Sequence, residues 1–255
     1  MSGTFSYELK TEKLYLKYAK GAPSVTSQEF HYHHEFVFFL EGSAYFISKD
    51  IQQKLPDNCL VVIPKEQFHQ FRVSDADRYT RCILGFPDSS EIKPLIDDVM
   101  TQIKILPISS GKIIDVFTAL AEIAKSALTE DEKALFIKSS LAQLLIYLKY
   151  DNHQQILQNS NISPLVQRAI AYIDSHYAEK LTIDSIAQEL YVSTSTLAHT
   201  FSKELGISIY RYISKKRLLE VHKRIQQGES PTSAATKCGF GDYSCYYRIH
   251  KKYAD

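Results

Sequence analysis

The chain has 255 residues, 44% of them hydrophobic, and a formal net charge of +1. That length supports two packed cores, and no apolar run approaches the roughly 18 residues of a membrane helix. The polar stretch from Met1 to Lys20 does not read as a secretory signal, and Cys59, Cys82, Cys238 and Cys245 fall outside any CxxC spacing. A cytoplasmic protein with buried reduced thiols, no membrane partner and no disulfide scaffold is expected.

Residues 1–90 read as β-structure. Phe36-Val37-Phe38-Phe39-Leu40 ends at Glu41-Gly42, Ala44-Tyr45-Phe46-Ile47 follows, and Cys59-Leu60-Val61-Val62-Ile63 stops at Pro64. Short branched and aromatic runs between turn residues favour a sandwich or small barrel. Residues 91–150 read as helical: Ile113–Leu128 and Glu132–Tyr150 carry apolar residues at three- and four-residue spacing. These helices are expected to pack on the sheet, pair two copies into a homodimer, or both. The amide-rich residues 151–163 read as a linker, and Ser163-Pro164 as the cap and first residue of a helix running to about His176.

From residue 164 the charge balance changes. Residues 1–163 carry 17 Lys and Arg against 20 Asp and Glu; residues 164–255 carry 13 against 9. A basic C-terminal third suits phosphate contact. Within it one pattern occurs twice: a short helix with an inward alanine (Ala187, then Ala235), a turn, and a second helix mixing small, polar and basic residues. This is helix-turn-helix grammar, in which the second helix enters the DNA major groove. Thr182, Ser193 and Ser230 are placed to cap, Gly206 to end a helix, and Gly239 to take a left-handed turn position. The outward faces then hold Ser193, Thr194, Ser195, Ala198 and His199 in the first unit, with Lys203 suited to a phosphate. In the second unit they hold Tyr243, Ser244, Tyr247, Arg248, Lys251 and Lys252. Arg248 suits a guanine edge, and the lysines suit phosphates. Between the units, Ser208–Gln227 reads as a helix of roughly 28 Å, close to one turn of B-DNA at roughly 34 Å.

Residues 164–253 resemble the DNA-binding domain of the AraC/XylS family of bacterial transcription regulators. The resemblance lies in Ile186-Ala187…Leu190…Ser193…Leu197…Phe201…Gly206, in Arg217-Leu218, and above all in Gly239-Phe240-Gly241-Asp242-Tyr243-Ser244. It implies binding to double-stranded promoter DNA, as activator or repressor. The chain departs from the pattern at His199, where the family commonly has arginine. It departs again at His250, where phenylalanine is usual and a core-facing side chain is therefore expected.

The N-terminal part holds Phe30-His31-Tyr32-His33-His34-Glu35 before one strand, and Ile63-Pro64-Lys65-Glu66-Gln67-Phe68-His69 after another. By period two, His31, His33 and Glu35 share a face, His69 is able to join them, and His34 points to solvent. With Tyr32, Phe36, Phe38, Tyr45 and Phe68 nearby, this reads as a ligand-binding pocket with polar hooks, suited to a sugar or similar small effector. The arrangement resembles the cupin-like sensor domain of the same family over about residues 10–85. A divalent ion on His31, His33, Glu35 and His69 is sterically conceivable. Because such sensors mostly hold organic ligands, no cofactor or metal is expected.

The expected fold class is α+β: a cupin-like β-barrel or sandwich with a helical dimerisation segment, then an all-α domain (164–255) with two helix-turn-helix units. The expected function is an effector-controlled transcription regulator and not an enzyme. Two alternatives are a metal-dependent cupin enzyme with a helical appendage, predicting turnover, and a structural DNA binder, predicting no ligand response.

Overall fold

The computed structural model describes residues 5–10, 14–21, 29–49, 51–123, 125–150 and 162–253. The chain divides into two compact units, Met1–Ser160 and Asn161–Asp255. Among the described residues no helix is long and apolar enough to cross a membrane. The linker expected at 151–163 lies outside the described residues up to 161. Its last two residues belong to the second unit: Ile162 is buried in the core there, and Ser163 caps the helix that follows.

The first unit is a seven-stranded antiparallel sheet with helices on one face. Its strands are β1 (Phe5–Lys10), β2 (Tyr15–Lys20), β3 (His34–Ser48), β4 (Gln52–Lys54), β5 (Cys59–Ile63), β6 (His69–Phe86) and β7 (Lys104–Pro107). They lie in the order β1-β2-β6-β3-β5-β7, with β4 paired to β3. Alternation along β3 sends Phe36 and Phe38 to one face, where they meet the helices α1 (Lys93–Val99), α2 (Gly111–Ile123) and α3 (Glu130–Tyr150). The Phe38 and Phe117 rings stack there with centroids 4.6 Å apart. Val37 and Phe39 go to the other face and meet Ala44, Phe46, Val61, Phe71 and Tyr79 in a second core. Residues from both ends of β3 reach that core because the strand bends at an irregularity between Phe39 and Ala44. Gly42 sits in the bend with φ +129°, and a β-carbon there would lie 2.9 Å from the Arg78 carbonyl oxygen. With both faces covered, β5 is buried at every position, which explains its unbroken apolar sequence.

The segment 91–150 is not purely helical, as expected from its periodicity. It contributes α1 and also β7, which pairs with β5 along the sheet edge through Ile105 and Leu106. Helix α2 ends at Ile123, before the expected Leu128. Helix α3 starts at Glu130 behind a reciprocal cap: the Thr129 backbone N–H donates to Glu132 Oε2 at 2.8 Å, and the Glu132 N–H to Thr129 Oγ1 at 3.3 Å.

The second unit contains α4 (Pro164–His176), α5 (Ile183–Glu189), α6 (Thr194–Leu205), α7 (Ile209–Gln226), α8 (Pro231–Lys237) and α9 (Tyr243–Tyr253). Hydroxyl caps at Ser163, Thr182, Ser193, Ser208 and Ser230 start α4 to α8. Gly206, at φ 71°, ends α6. Two cores share α7: Ile209, Tyr212 and Ile213 join the core of α4–α6, while Leu218 and Val221 join that of α8 and α9.

The sequence duplication reappears bond for bond. After α5, the Tyr191 N–H donates to the Gln188 carbonyl and the Val192 N–H to that of Ala187. After α8, Gly239 donates to Thr236 and Phe240 to Ala235. Tyr191 and Gly239 thus hold the same turn position, both left-handed at φ 55° and 85°. Gly239 has a second constraint, since a β-carbon there would sit 2.6 Å from the Ala178 carbonyl oxygen. Gly239→Ala should therefore cost more than the roughly 1–2 kcal/mol of the left-handed conformation alone, seen as a lower urea midpoint. Tyr191→Gly should move the midpoint the other way, by about 0.5–1 kcal/mol once the extra chain entropy of glycine is subtracted. A fall would show that the tyrosine side chain contributes packing.

Candidate functional site

Helix α6 buries Leu197, Phe201 and Leu205 and turns its opposite side outward. Ser195, His199 and Lys203 are exposed there, with Thr194 and Ala198 half-buried along the margin. Ser193 is exposed, but its Oγ accepts from the Thr196 N–H at 3.1 Å and lies 2.8 Å from Thr196 Oγ1. Its hydroxyl is therefore engaged in fixing the helix start. In α9, Tyr246 is buried, and Tyr243, Ser244, Tyr247, Arg248 and Lys251 are exposed. Lys252 belongs to the helix, while its side chain lies outside the described residues. His250 is half-buried, its ring 5.5 Å from that of Tyr246, so it flanks the core rather than entering it.

The conspicuous Gly-Phe-x-Asp segment has a structural meaning. Gly239 makes the turn, Phe240 enters the core, and Asp242 Oδ1 accepts from the Cys245 N–H at 2.7 Å at the start of α9. Tyr191, which sequence reasoning did not single out, is 94% exposed in the first turn beside α6. Only the alignment of the two repeats points to it, because a tyrosine gives no signal for a left-handed residue.

In the first unit, three of the four predicted ligand residues converge. His31 Nε2 lies 3.3 Å and His69 Nε2 3.4 Å from the same Glu35 oxygen, Oε2. Burial works to raise the Glu35 pKa, but the flanking His31 and His69 imidazoles outweigh it and hold the carboxyl far below the usual range. Burial likewise opposes charge on His31, yet Glu35 raises that ring's pKa. Glu29 approaches from the side, its Oε2 3.9 Å from His69 Nε2, while its backbone exchanges both hydrogen bonds with that of His69.

His33 stands apart. Its ring stacks on His31 with centroids 4.1 Å apart and lies against Gly85, and burial lowers its pKa to about 4. It supports His31 through its backbone, since the His31 Nδ1–H donates to the His33 carbonyl at 2.7 Å.

His34 does not face solvent, as alternation implied. It is buried, accepts from the Lys65 N–H at Nδ1 (3.2 Å), and meets Asp88 at Nε2 (3.0 Å). The chain bends at Tyr32 and His33, before β3 begins, so period two does not extend back to them.

The expected aromatic lining is also redistributed. Phe36 and Phe38 lie in the core under the helices, on the opposite face from Glu35. The aromatic rings next to His69 are Phe46 and Phe71, at 6.1 and 6.0 Å. Further along the interior of β6, buried Arg81 donates to the Gly21 carbonyl at 2.6 Å and rests 4.3 Å from the Tyr79 ring centre. Neither residue was singled out from sequence, because β6 was not recognised as a strand.

Comparison with known proteins bears on the second unit. The family described as "Helix-turn-helix domain" matches residues 186–255. The HTH-type transcriptional activator RhaS of Escherichia coli (strain K12 / DH10B) is 26% identical over 111 residues, 43% of this chain and 39% of that relative's length. Among solved structures, ToxT from Vibrio cholerae O395 aligns over 98% of this chain and 93% of its own, at 13% identity and a TM-score of 0.40. The C-terminal domain of AraT, a response regulator from Geobacillus stearothermophilus, aligns over 36% of this chain and 78% of its own, at 29% identity and a TM-score of 0.35. Residues 186–255 of this chain thus match a helix-turn-helix domain family, and its C-terminal part is similar in sequence to a stretch of the transcriptional activator RhaS.

Proposed function

We propose that the chain is a cytoplasmic one-component transcription regulator, with the second unit reading double-stranded promoter DNA and the first binding a small effector. The observation that carries the reading is the pairing of two exposed second helices, α6 and α9, on the shared helix α7. At 1.5 Å per residue its 18 residues span roughly 27 Å, which suits two major-groove segments on one face of a duplex. Arg248 is assigned to a base edge, Lys203 and Lys251 to phosphates, and Ser195, His199, Tyr243, Ser244 and Tyr247 to the groove walls. RhaS is named a transcriptional activator, and that similarity supports regulation without deciding its sign.

The effector position is assigned to the interior of the first unit around His31, Glu35 and His69, with His33 behind them. Pairing of two copies belongs to the same reading. Leu135, Ile146 and Tyr150, exposed on α3 at spacings of 11 and 4 residues, support it. A metal-dependent enzyme would have no use for two exposed reading helices, and nothing in their geometry favours that alternative. An effector biases DNA binding only by its differential affinity for two arrangements of the chain.

The test is an anisotropy titration of DNA from upstream of the chain's own gene, against excess random competitor. Preference for the upstream DNA is expected; equal affinity for both would overturn the regulator. Arg248→Ala should cost about 1–3 kcal/mol on the specific site and relax preference at one base pair. Lys251→Ala should weaken all sequences alike and lower the salt slope by about 1.

A further inference from the structure

The geometry points to a binding site for a divalent transition-metal ion formed by His31 Nε2, Glu35 Oε2 and His69 Nε2. These three atoms lie within 4.8 Å of one another, with Nε2–Oε2 separations of 3.3 and 3.4 Å. Donors held ~2.0–2.1 Å from a tetrahedral ion stand ~3.3–3.4 Å apart, so two edges of a coordination tetrahedron are already set.

Both imidazoles are oriented as metal ligands are. His31 Nδ1 faces the His33 carbonyl oxygen at 2.7 Å, and His69 Nδ1 faces that of Gln67 at 3.2 Å. A carbonyl only accepts, so each ring carries its proton on Nδ1 and, when neutral, turns the Nε2 lone pair toward Glu35. Backbone carbonyls that fix the tautomer in this way are the usual support of a ligating histidine.

The decisive atom is His69 Nε2. It is fully buried and makes no hydrogen bond among the described residues, with Glu35 Oε2 3.4 Å away. A buried ring nitrogen without a partner is destabilising, and an ion placed between the three donors satisfies it. The Glu35 carboxylate supplies one of the two negative charges that neutralise such an ion. Glu29, 3.9 Å from His69 Nε2, is the nearest source of the other. Two imidazole nitrogens and one carboxylate suit Zn²⁺, Co²⁺, Ni²⁺ or Fe²⁺ better than Ca²⁺ or Mg²⁺. His33 contributes its carbonyl and a stacked ring rather than a ligand atom.

This inference deepens the effector position assigned above and rests on that site's being a binding site, not on DNA binding. It is tested on the untagged 255-residue chain, stripped with EDTA and titrated with Co²⁺ while the visible d–d absorption is recorded. Saturation at one ion per chain is expected, with Zn²⁺ displacing the Co²⁺. Glu35→Gln and His69→Ala should each weaken binding by at least the ~10–100-fold that loss of a supporting hydrogen bond alone costs. Circular dichroism checks that both variants fold; if His69→Ala does not, the near-isosteric Glu35→Gln carries the test. No d–d spectrum from the parent chain, or equal binding by parent and folded variants, would overturn the site. The anisotropy titration on the same samples separates the two readings. Promoter preference without metal uptake removes only the metal site, and metal uptake without preference removes only the regulator.

Discussion

The architecture of the second unit depends on one helix belonging to two cores. Helix α7 places Ile209, Tyr212 and Ile213 against α4–α6, then Leu218 and Val221 against α8 and α9. Between these two sets lies Arg217, whose Nε donates to the Tyr177 carbonyl and whose Nη2 donates to the Glu179 carbonyl, each at 2.7 Å. Those acceptors follow the C-terminus of α4, where backbone oxygens have no helical partner. The adjoining Ala178 carbonyl abuts Gly239. One guanidinium and one missing side chain therefore tie the loop that leads from α4 into the first helix-turn-helix to the turn of the second. The reading helices need no direct contact with each other to hold a fixed separation.

The first unit resolves a different conflict. Its sheet needs apolar residues on both faces, yet a carboxylate stands buried at the start of β3, between Ile63 on one neighbouring strand and Gly85 on the other. Burying an ion costs several kcal/mol unless it is paired. Here the partners come from two chain segments, His31 just before β3 and His69 at the head of β6. Removing either imidazole takes away one of the two partners that offset the burial of Glu35. The polar cluster therefore couples the entry of β3 to that of β6, and anything bound there acts on both strands.

The legible parts of the fold were those with local signals. Ser or Thr ahead of each apolar pattern located the caps at Ser163, Thr182, Ser193 and Ser230, and Gly239 announced its own turn. Strands β1, β2, β4, β6 and β7 were not located, since runs such as Tyr15-Leu16-Lys17-Tyr18-Ala19-Lys20 become strands through partners distant in sequence. The exposed positions of α6 and α9 followed from helical period. The histidine cluster was harder: His31, Glu35 and His69 were identified, but the bend at Tyr32–His33 broke the alternation that placed His33 inward and His34 outward. Phe36 and Phe38 were given to the pocket because helices covering the other face of β3 leave no trace within β3 itself.

The shared turn geometry has a last consequence. Although Tyr191 and Gly239 occupy the same backbone position, the helices that follow are chemically unlike: α6 exposes Ser195 and His199, α9 exposes Arg248 among tyrosines. A two-fold symmetric reader sees the same DNA from either end. A tandem of unlike readers on one rigid helix does not, so a single copy has a head and a tail. Any duplex it recognises is thereby given a polarity, which orients the chain relative to whatever lies downstream.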